Sequence, residues 1–228
     1  MNDTGLRYDD SWLVVPLYNE ATVIGQVIDD AKGTFANIVC VDDGSSDGSA
    51  TIARKHGARV IEHPFNLGQG AALQTGMEFV RRQTNARYIV TFDADGQHSV
   101  ADAAAMVDRA RADDLAIIFG SRFLDDATQV GWSKKLVLKT AAAVTKQQTG
   151  LDLTDAHNGL RLLRRDALQQ VVLRQDGMAH ASEIVSQLAC TGLPWAEMPV
   201  HIAYTDYSKA KGQSLLNSVN ILVDLVMR

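Results

Sequence analysis

The chain has 228 residues, 46% hydrophobic, 21% charged and 6% aromatic, with 17 Gly and 4 Pro, a globular composition that argues against disordered, collagen-like or repeat-built chains. Residues 1–133 hold 11 Lys+Arg against 19 Asp+Glu, whereas residues 134–228 hold 11 against 8; an acidic half lacks the basic footprint of a duplex binder, so no nucleic-acid partner is expected. Cys40 and Cys190 stand far apart in apolar surroundings, the N-terminus MNDTGLRYDDSW is polar, and no apolar run reaches the roughly 18 residues of a membrane span. Together these features speak against a disulfide scaffold, a zinc cluster, a signal peptide and a membrane span, and lead us to expect a soluble cytoplasmic chain.

In chain order, Trp12–Pro16 reads as a buried strand, and Val23, Ile24, Val27, Ile28 and Ala31 then fall on one face of a helix. Ile38–Val41 is a second strand, followed by a helix that Ser46 can cap and Gly57 can close. Arg59–Glu62 is a third strand, a long helix runs from about Gly70 to Gln83, and Tyr88–Phe92 is a fourth strand. Val100–Ala112 is helical and Ala116–Phe119 a fifth strand. Strands that are continuous apolar runs, alternating with helices, indicate an α/β fold: a mostly parallel sheet with helices on both faces. Beyond residue 130 the pattern predicts a helix over Lys134–Gln147, a strand over Asn158–Leu163, a helix over Ala181–Cys190 and an edge strand over Trp195–Ala203. A tail helix over Leu215–Met227 carries Asn217, Asn220 and Asp224 as a polar stripe. The division expected is a catalytic domain over residues 1–212 and a C-terminal amphipathic helix over 213–228.

Open α/β sheets bind ligands beyond the carboxyl ends of their strands, and three polar clusters fall there. They are Pro16-Leu17-Tyr18-Asn19-Glu20, the DDGSSDGS segment (Asp42–Ser49), and Asp93-Ala94-Asp95-Gly96-Gln97-His98. Each alone reads equally well as helix-capping or Asx-turn chemistry. Three at one edge bring together carboxylates that repel unless something positive lies between them. On an extended strand Asp93 and Asp95 share a face. With Gln97 and His98 close by, they suit a hard divalent cation completed by phosphate oxygens and water.

In this order, LVVPLYNE, VDDGSSDGS, NLGQGAAL, FDADGQH, GSR, DAHNGLRLLRR and KGQS resemble family 2 glycosyltransferases of the GT-A fold, and among them the polyprenyl- and dolichol-phosphate sugar transferases. The resemblance spans most of the chain. It implies that Pro16, Tyr18 and Glu20 line a nucleotide pocket, that Asp42 accepts from the base, and that Asp43 lies beside the ribose. Asp93 would approach ribose and diphosphate, and Asp95, with Gln97, would hold a magnesium or manganese ion. Gly68 and Gly70 would let the backbone approach the donor at a helix N-terminus, with plain helix-start chemistry as the alternative. Where this chain has Gln69, family members often carry Lys.

The reaction so implied is an inverting transfer of a hexose-type sugar from a UDP- or GDP-sugar to a polyprenyl phosphate at the cytoplasmic face of the membrane. A divalent ion would offset the charge growing on the departing diphosphate. Asp155 is the candidate base or sugar-positioning residue, or else an ion-pair partner of Arg161 or Arg164. Arg122, Arg161, Arg164 and Lys211, in the loop Tyr207–Ser214, are candidates for acceptor phosphate, with surface solvation as the alternative. His56, His63 and His180 show no partner pattern and read as structural or exposed, and the three tryptophans read as packing. The tail helix could meet a membrane protein, a lipid surface or a second copy of the chain. A glycan hydroxyl acceptor, which would make Asp155 indispensable, stays open, as does a non-catalytic nucleotide- or membrane-protein-binding role. A nucleotidyltransferase is disfavoured, because PLYNE stands where such enzymes place a Gly-rich basic loop.

Overall fold

Four parallel strands and their connecting helices build the first part of the sheet in the computed structural model, which describes residues 8–124, 150–177 and 179–203. Strand β1 (Ser11–Leu17) leads to α1 (Ile24–Lys32), β2 (Asn37–Asp42) to α2 (Ser49–Lys55), β3 (Arg59–Glu62) to α3 (Gln69–Gln83), and β4 (Tyr88–Thr91) to α4 (Val100–Ala112). Then follow β5 (Ile117–Ser121), β6 (Arg161–Arg164), the short α5 (Arg165–Leu168), α6 (His180–Cys190) and β7 (Trp195–Pro199). The order across the sheet is β3-β2-β1-β4-β6-β5-β7. All pairings are parallel except those of β6, which runs against both β4 and β5.

The alternation of each strand explains why both faces need helices. Leu13, Val15 and Leu17 of β1, Val90 of β4 and Leu162 of β6 pack on one side with Ile24, Ile28 and Val107. Val14, Val39, Ile89 and Leu163 point the other way and meet Leu73, Met77, Val80 and Ile184. Successive side chains leave opposite faces of a strand, so a sheet covered on both sides must be apolar at every position. Close packing reaches the backbone at Gly76 of α3, where a Cβ would lie 2.5 Å from Val14.

The expected elements stand with small shifts. Helix α2 differs for a reason: it starts at Ser49 behind a left-handed Gly48 (φ 91°), with no cap from Ser46. The Ser45 hydroxyl and Ser46 amide are bound instead to Asn19 of the β1 loop. The strand expected from Asn158 begins at Arg161, because Asn158 turns its side chain back to cap the Leu160 amide. The expected edge strand is β7, ending at Pro199. The helices expected over Lys134–Gln147 and Leu215–Met227, and the boundary at 212, lie outside the described residues. Among the described residues no helix is long and apolar enough to cross a membrane.

Reversal of β6 sets the site. Arg161 pairs with Thr91 and Phe119 at the carboxyl edge of the parallel strands, whereas Arg164 pairs with Tyr88 at the amino edge. Strand order reverses between β1 and β4, the position where open α/β sheets form a crevice.

Candidate active site

A cleft of about 450 Å³ opens at that reversal. Its walls are the β1 end (Pro16, Tyr18, Glu20), Asp43 after β2, the start of α3 (Asn66, Gly68, Gln69), Asp93 and Asp95 after β4, and His157, Gly159, Arg161 and His180. Seven of the expected site residues therefore meet in one concavity with Arg161: Pro16, Tyr18, Glu20, Asp43, Gly68, Asp93 and Asp95.

The first two polar clusters are one built unit. The Asn19 amide donates to Ser45, that of Glu20 to Ser49 at 2.8 Å, and that of Ala21 to Asp47. Asn19 adopts a positive φ of 53° to do so, a conformation Asn tolerates better than most residues. Asp42 is buried at the end of β2, just behind the cleft wall; its Oδ2 accepts from the Ser45 amide and its Oδ1 has no hydrogen-bond partner. Asp43 faces the cleft, but its carboxylate is occupied: it accepts from the amides of Leu67 and Gly68 and from His63 Nδ1 at 2.8 Å. His63 is thus a brace, with Nε2 on the Thr75 hydroxyl.

The glycines of NLGQG serve a different neighbour from the one expected. A Cβ on Gly68 (φ 104°) would lie 2.3 Å from the Asp176 carbonyl, and one on Gly70 2.0 Å from that of Gln175. The Gly70 amide already donates to Asp176 O at 2.8 Å. These glycines seat the 175–177 segment against α3, and the amides of Leu67, Gly68 and Gly70 are taken by the protein itself.

Asp93 and Asp95 lie in the loop beyond β4 rather than on the strand, and both reach the cleft. His98 Nε2 donates to Asp93 Oδ2 at 2.7 Å, while His98 is itself buried beneath Phe92. His98 therefore holds Asp93 from below and does not face the cleft. Gly159 makes room on the other side, since a Cβ there would strike Asp93 Oδ2 at 2.6 Å. Burial works against the Asp93 charge, but His98 and Arg161 outweigh it and keep the carboxyl below its usual range. Asp95 is pushed the other way, by burial and by the charge of Asp93. Its Oδ1 accepts from the Gln97 amide, and Gln97 is not part of the cleft wall.

Arg161 is the buried cation of the cleft. Its Nη2 donates to the Ala156 carbonyl, and burial pulls the guanidinium down to about 10 against the opposing pull of Asp93 and Asp155. Arg164 corrects its expectation: it stands at the far edge of the sheet on Asp166 and Asp114. Asp155 and Arg122 form a two-pronged pair, Nε to Oδ2 at 2.6 Å and Nη2 to Oδ1 at 2.8 Å, outside the cleft lining. Burial opposes the Asp155 charge, yet the Arg122 fork holds its carboxyl below the usual range. An ion-pair role for Asp155 is therefore met, with Arg122 as partner in place of Arg161 or Arg164. Lys211 lies outside the described residues.

Two cleft residues escaped the sequence reading. His157 lines the wall with its Nε2 buried and unpartnered, and burial together with Arg161 pulls its pKa down. His180 is 5% exposed and donates from Nδ1 to the Gly177 carbonyl at 2.8 Å. Burial is the chief cause of its lowered pKa, with Arg161 adding to it. The sole signal for His157 was its place inside the DAHNG segment; for His180 no spacing rule applied.

Chemically, the cleft sets Glu20, Asp43, Asp93 and Asp95 against one guanidinium among the described residues. Among the described residues no three His, Cys, Asp or Glu side chains assemble into a metal cage. The carboxylate of Asp95 on the cleft wall, with Gln97 bound to it through its amide, nonetheless suits a hard cation whose remaining ligands come from a phosphate substrate and water.

Residues 12–172 match the profile of glycosyl transferase family 2. The chain is 32% identical, over 98% of its length and 93% of the relative's, to an uncharacterized protein of Methanocaldococcus jannaschii. It is 28% identical to the UDP-N-acetylglucosamine–dolichyl-phosphate N-acetylglucosaminyltransferase of Methanococcus voltae, over 95% of this chain and 94% of that one. Glucosyl-3-phosphoglycerate synthase from Mycobacterium tuberculosis, solved with Mn2+ and UDP-glucose, shares the fold at a TM-score of 0.68 and 18% identity, covering 95% of this chain and 78% of the other.

Proposed function

Because the chain belongs to glycosyl transferase family 2, we propose that it is a metal-dependent inverting glycosyltransferase that moves a sugar from a UDP- or GDP-sugar to a polyprenyl phosphate. The observation that carries this reading is the pair Asp93 and Asp95 on one cleft at the strand-order reversal, with more negative than positive charge around it. A nucleoside diphosphate entering such a cleft requires a cation between its phosphates and the carboxylates. Asp95, assisted by Gln97, would hold a magnesium or manganese ion, which supplies Lewis-acid neutralisation of the departing diphosphate.

The chain's own residues divide the remaining work. Pro16, exposed Tyr18 and Glu20 form the side of the cleft nearest the β1–β2 loops and suit the nucleoside. The partnerless Oδ1 of Asp42 suits an N–H of the base, since a buried acceptor left unmatched is costly. Asp93, kept ionised and fixed by His98, suits the ribose and the diphosphate end. Arg161 adds the positive charge that an attacking phosphate would meet.

A lipid phosphate acceptor is supported by the relative from Methanococcus voltae named for dolichyl phosphate. The occupied state of Asp155 supports it as well. A hydroxyl acceptor needs a free base, and this carboxylate is tied to Arg122, whereas an acceptor phosphate is anionic from the start. The enzyme would then work at the cytoplasmic membrane surface as a peripheral protein.

Incubation with radiolabelled UDP-glucose, UDP-N-acetylglucosamine or GDP-mannose, manganese and, in parallel reactions, a short polyprenyl phosphate or an oligosaccharide tests the proposal. Label should move into an organic-extractable, acid-labile product, and chelation of the metal should stop it. Label appearing only on an oligosaccharide would replace the lipid acceptor, and label moving to neither acceptor would contradict transferase activity on these substrates.

A further inference from the structure

The frame around His180 is built with more care than a core histidine needs. The Gly177 carbonyl accepts its Nδ1 proton at 2.8 Å. Glu183, one turn along α6, accepts from the amides of Arg174 and Gln175 and so ties down the segment that supplies that carbonyl. Gly70 completes the frame: a Cβ there would meet His180 Cβ at 2.8 Å as well as the Gln175 carbonyl. The ring is thus fixed by α3, α6 and the loop between β6 and α6, and it forms part of the cleft wall.

This fixes the tautomer. A carbonyl can only accept, so Nδ1 carries the proton and the neutral ring presents a lone pair at Nε2. Among the described residues Nε2 makes no hydrogen bond, and the ring belongs to the cleft wall. A lone pair held in a fixed direction on a cleft wall is met by whichever donor enters the cleft. Phosphate oxygens cannot meet it, because they too are acceptors. A hydroxyl can.

We propose that His180 is a specificity residue that accepts a hydrogen bond, through Nε2, from a hydroxyl of the sugar carried by the nucleotide donor. The inference rests on the transferase reading above and adds to it the group that reads the sugar rather than the nucleotide. Within the cleft wall His180 feels the charges of Arg161 and Asp93. It comes from α6, an element separate from the β1–β2 loops assigned to the nucleoside. One neutral hydrogen bond contributes about 0.5–1.5 kcal/mol, a factor of roughly 2 to 13. Sites built to pair a particular hydroxyl also reject analogues that lack it.

Two substitutions separate the two ring nitrogens. His180→Asn keeps a donor where Nδ1 stood and removes the acceptor, whereas His180→Gln places a carbonyl oxygen near the former Nε2. Each variant is first checked by thermal melting, and calorimetry then measures binding of UDP and GDP with manganese. Kinetics follow with the sugar nucleotide that the parent protein accepts and with its singly deoxygenated 2-, 3-, 4- and 6-deoxy forms. The expected result is a three- to tenfold fall in kcat/KM for His180→Asn with the full donor, with nucleoside diphosphate affinity unchanged within twofold. For one deoxy donor the parent and His180→Asn should become equal, and His180→Gln should recover most of the loss on the full donor.

The proposal is overturned if His180→Asn weakens UDP or GDP by the same factor, or if its loss persists with every deoxy donor. A parent protein that binds nucleoside diphosphate and transfers sugar, joined to variants that are indistinguishable from it, refutes the role of His180 alone. A parent protein that binds and transfers nothing refutes the transferase reading and this inference with it.

Discussion

The two edges of the sheet use the same residue types in opposite ways. At the amino edge the charges are matched: Arg164 pairs with Asp166 and Asp114, Arg111 with Asp10, and Arg165 donates to the carbonyls of Arg81, Thr84 and Ala86. At the carboxyl edge the matching stops short. Asp93 and Asp95 share a loop, where burial and the charge of Asp93 raise the Asp95 pKa, and Asp42 keeps a partnerless oxygen. His157 and His180 each keep a nitrogen without a hydrogen bond among the described residues. At the amino edge these charges are neutralised within the protein, whereas on the proposed function the carboxyl edge awaits a ligand. Strand β6 crosses between the two and carries one arginine to each.

The largest test of this contrast is Asp95→Asn. It should lower transfer on the order of a thousandfold, as expected when several kcal/mol of transition-state charge neutralisation is removed. The same change should leave the melting temperature equal or higher, because burial and the charge of Asp93 already work against the Asp95 carboxylate. A variant that melts clearly earlier would mean that Asp95 belongs to the scaffold. The next largest effect is on stability. Arg122→Met leaves the buried Asp155 carboxylate unpaired and should cost about 3 kcal/mol. Chemical denaturation reads this directly, and Asp155→Asn on top of it should restore part of the loss. Full additivity of the two changes would contradict the pairing.

The third test is pH. His157 and His180 have folded-state pKa values depressed below the ordinary 6.5. The unfolded chain therefore binds more protons than the folded one as acid is added. Their contribution is complete above about pH 6.5 and is lost as pH falls toward the folded values. Asp93 and Asp155 are likewise depressed, from 3.8, so their contribution is complete above about pH 4 and lost below it. Melting temperature should thus fall in two steps on acidification, and His157→Asn should shrink the first step only. A single fall confined to pH below 4 would contradict the neutral histidines. The smallest effect belongs to Arg164→Ala, which removes ion pairs to the exposed Asp114 and Asp166 worth within about 1 kcal/mol and should leave transfer unchanged. Arg161→Met, three residues away, should instead abolish most transfer; equal activity of the two would erase the distinction between the edges.

The fold was legible where a local signal and the tertiary contacts agree. Strand β3 and helix α4 have the expected ends, α4 because Ser99 caps it on the Asp102 amide. Helix α2 starts later than read because Ser45 and Ser46 are drawn off to bind the β1 loop, a contact 26 or 27 residues away. The site was legible where carboxylates follow apolar strands, as at Asp93 and Asp95, because strand ends in a parallel sheet share an edge. It was not legible where direction mattered. Nothing in RLLRR reveals that β6 runs backwards, so Arg161 and Arg164 read alike until pairing separates them. His180 was passed over because its meaning lies in the Gly177 carbonyl and in Gly70, and periodicity sees neither.

Completion of the carboxyl edge by a nucleoside diphosphate and a metal ion is read out by thermal melting of the protein with UDP or GDP, each with and without manganese. A ligand at 100 times its dissociation constant adds about 2.7 kcal/mol, which for a chain of this size raises the melting temperature by roughly 5–11 °C. The account predicts such a rise with one nucleotide when manganese is present, and a much smaller one when it is absent. No rise with either nucleotide at saturating concentration would contradict it.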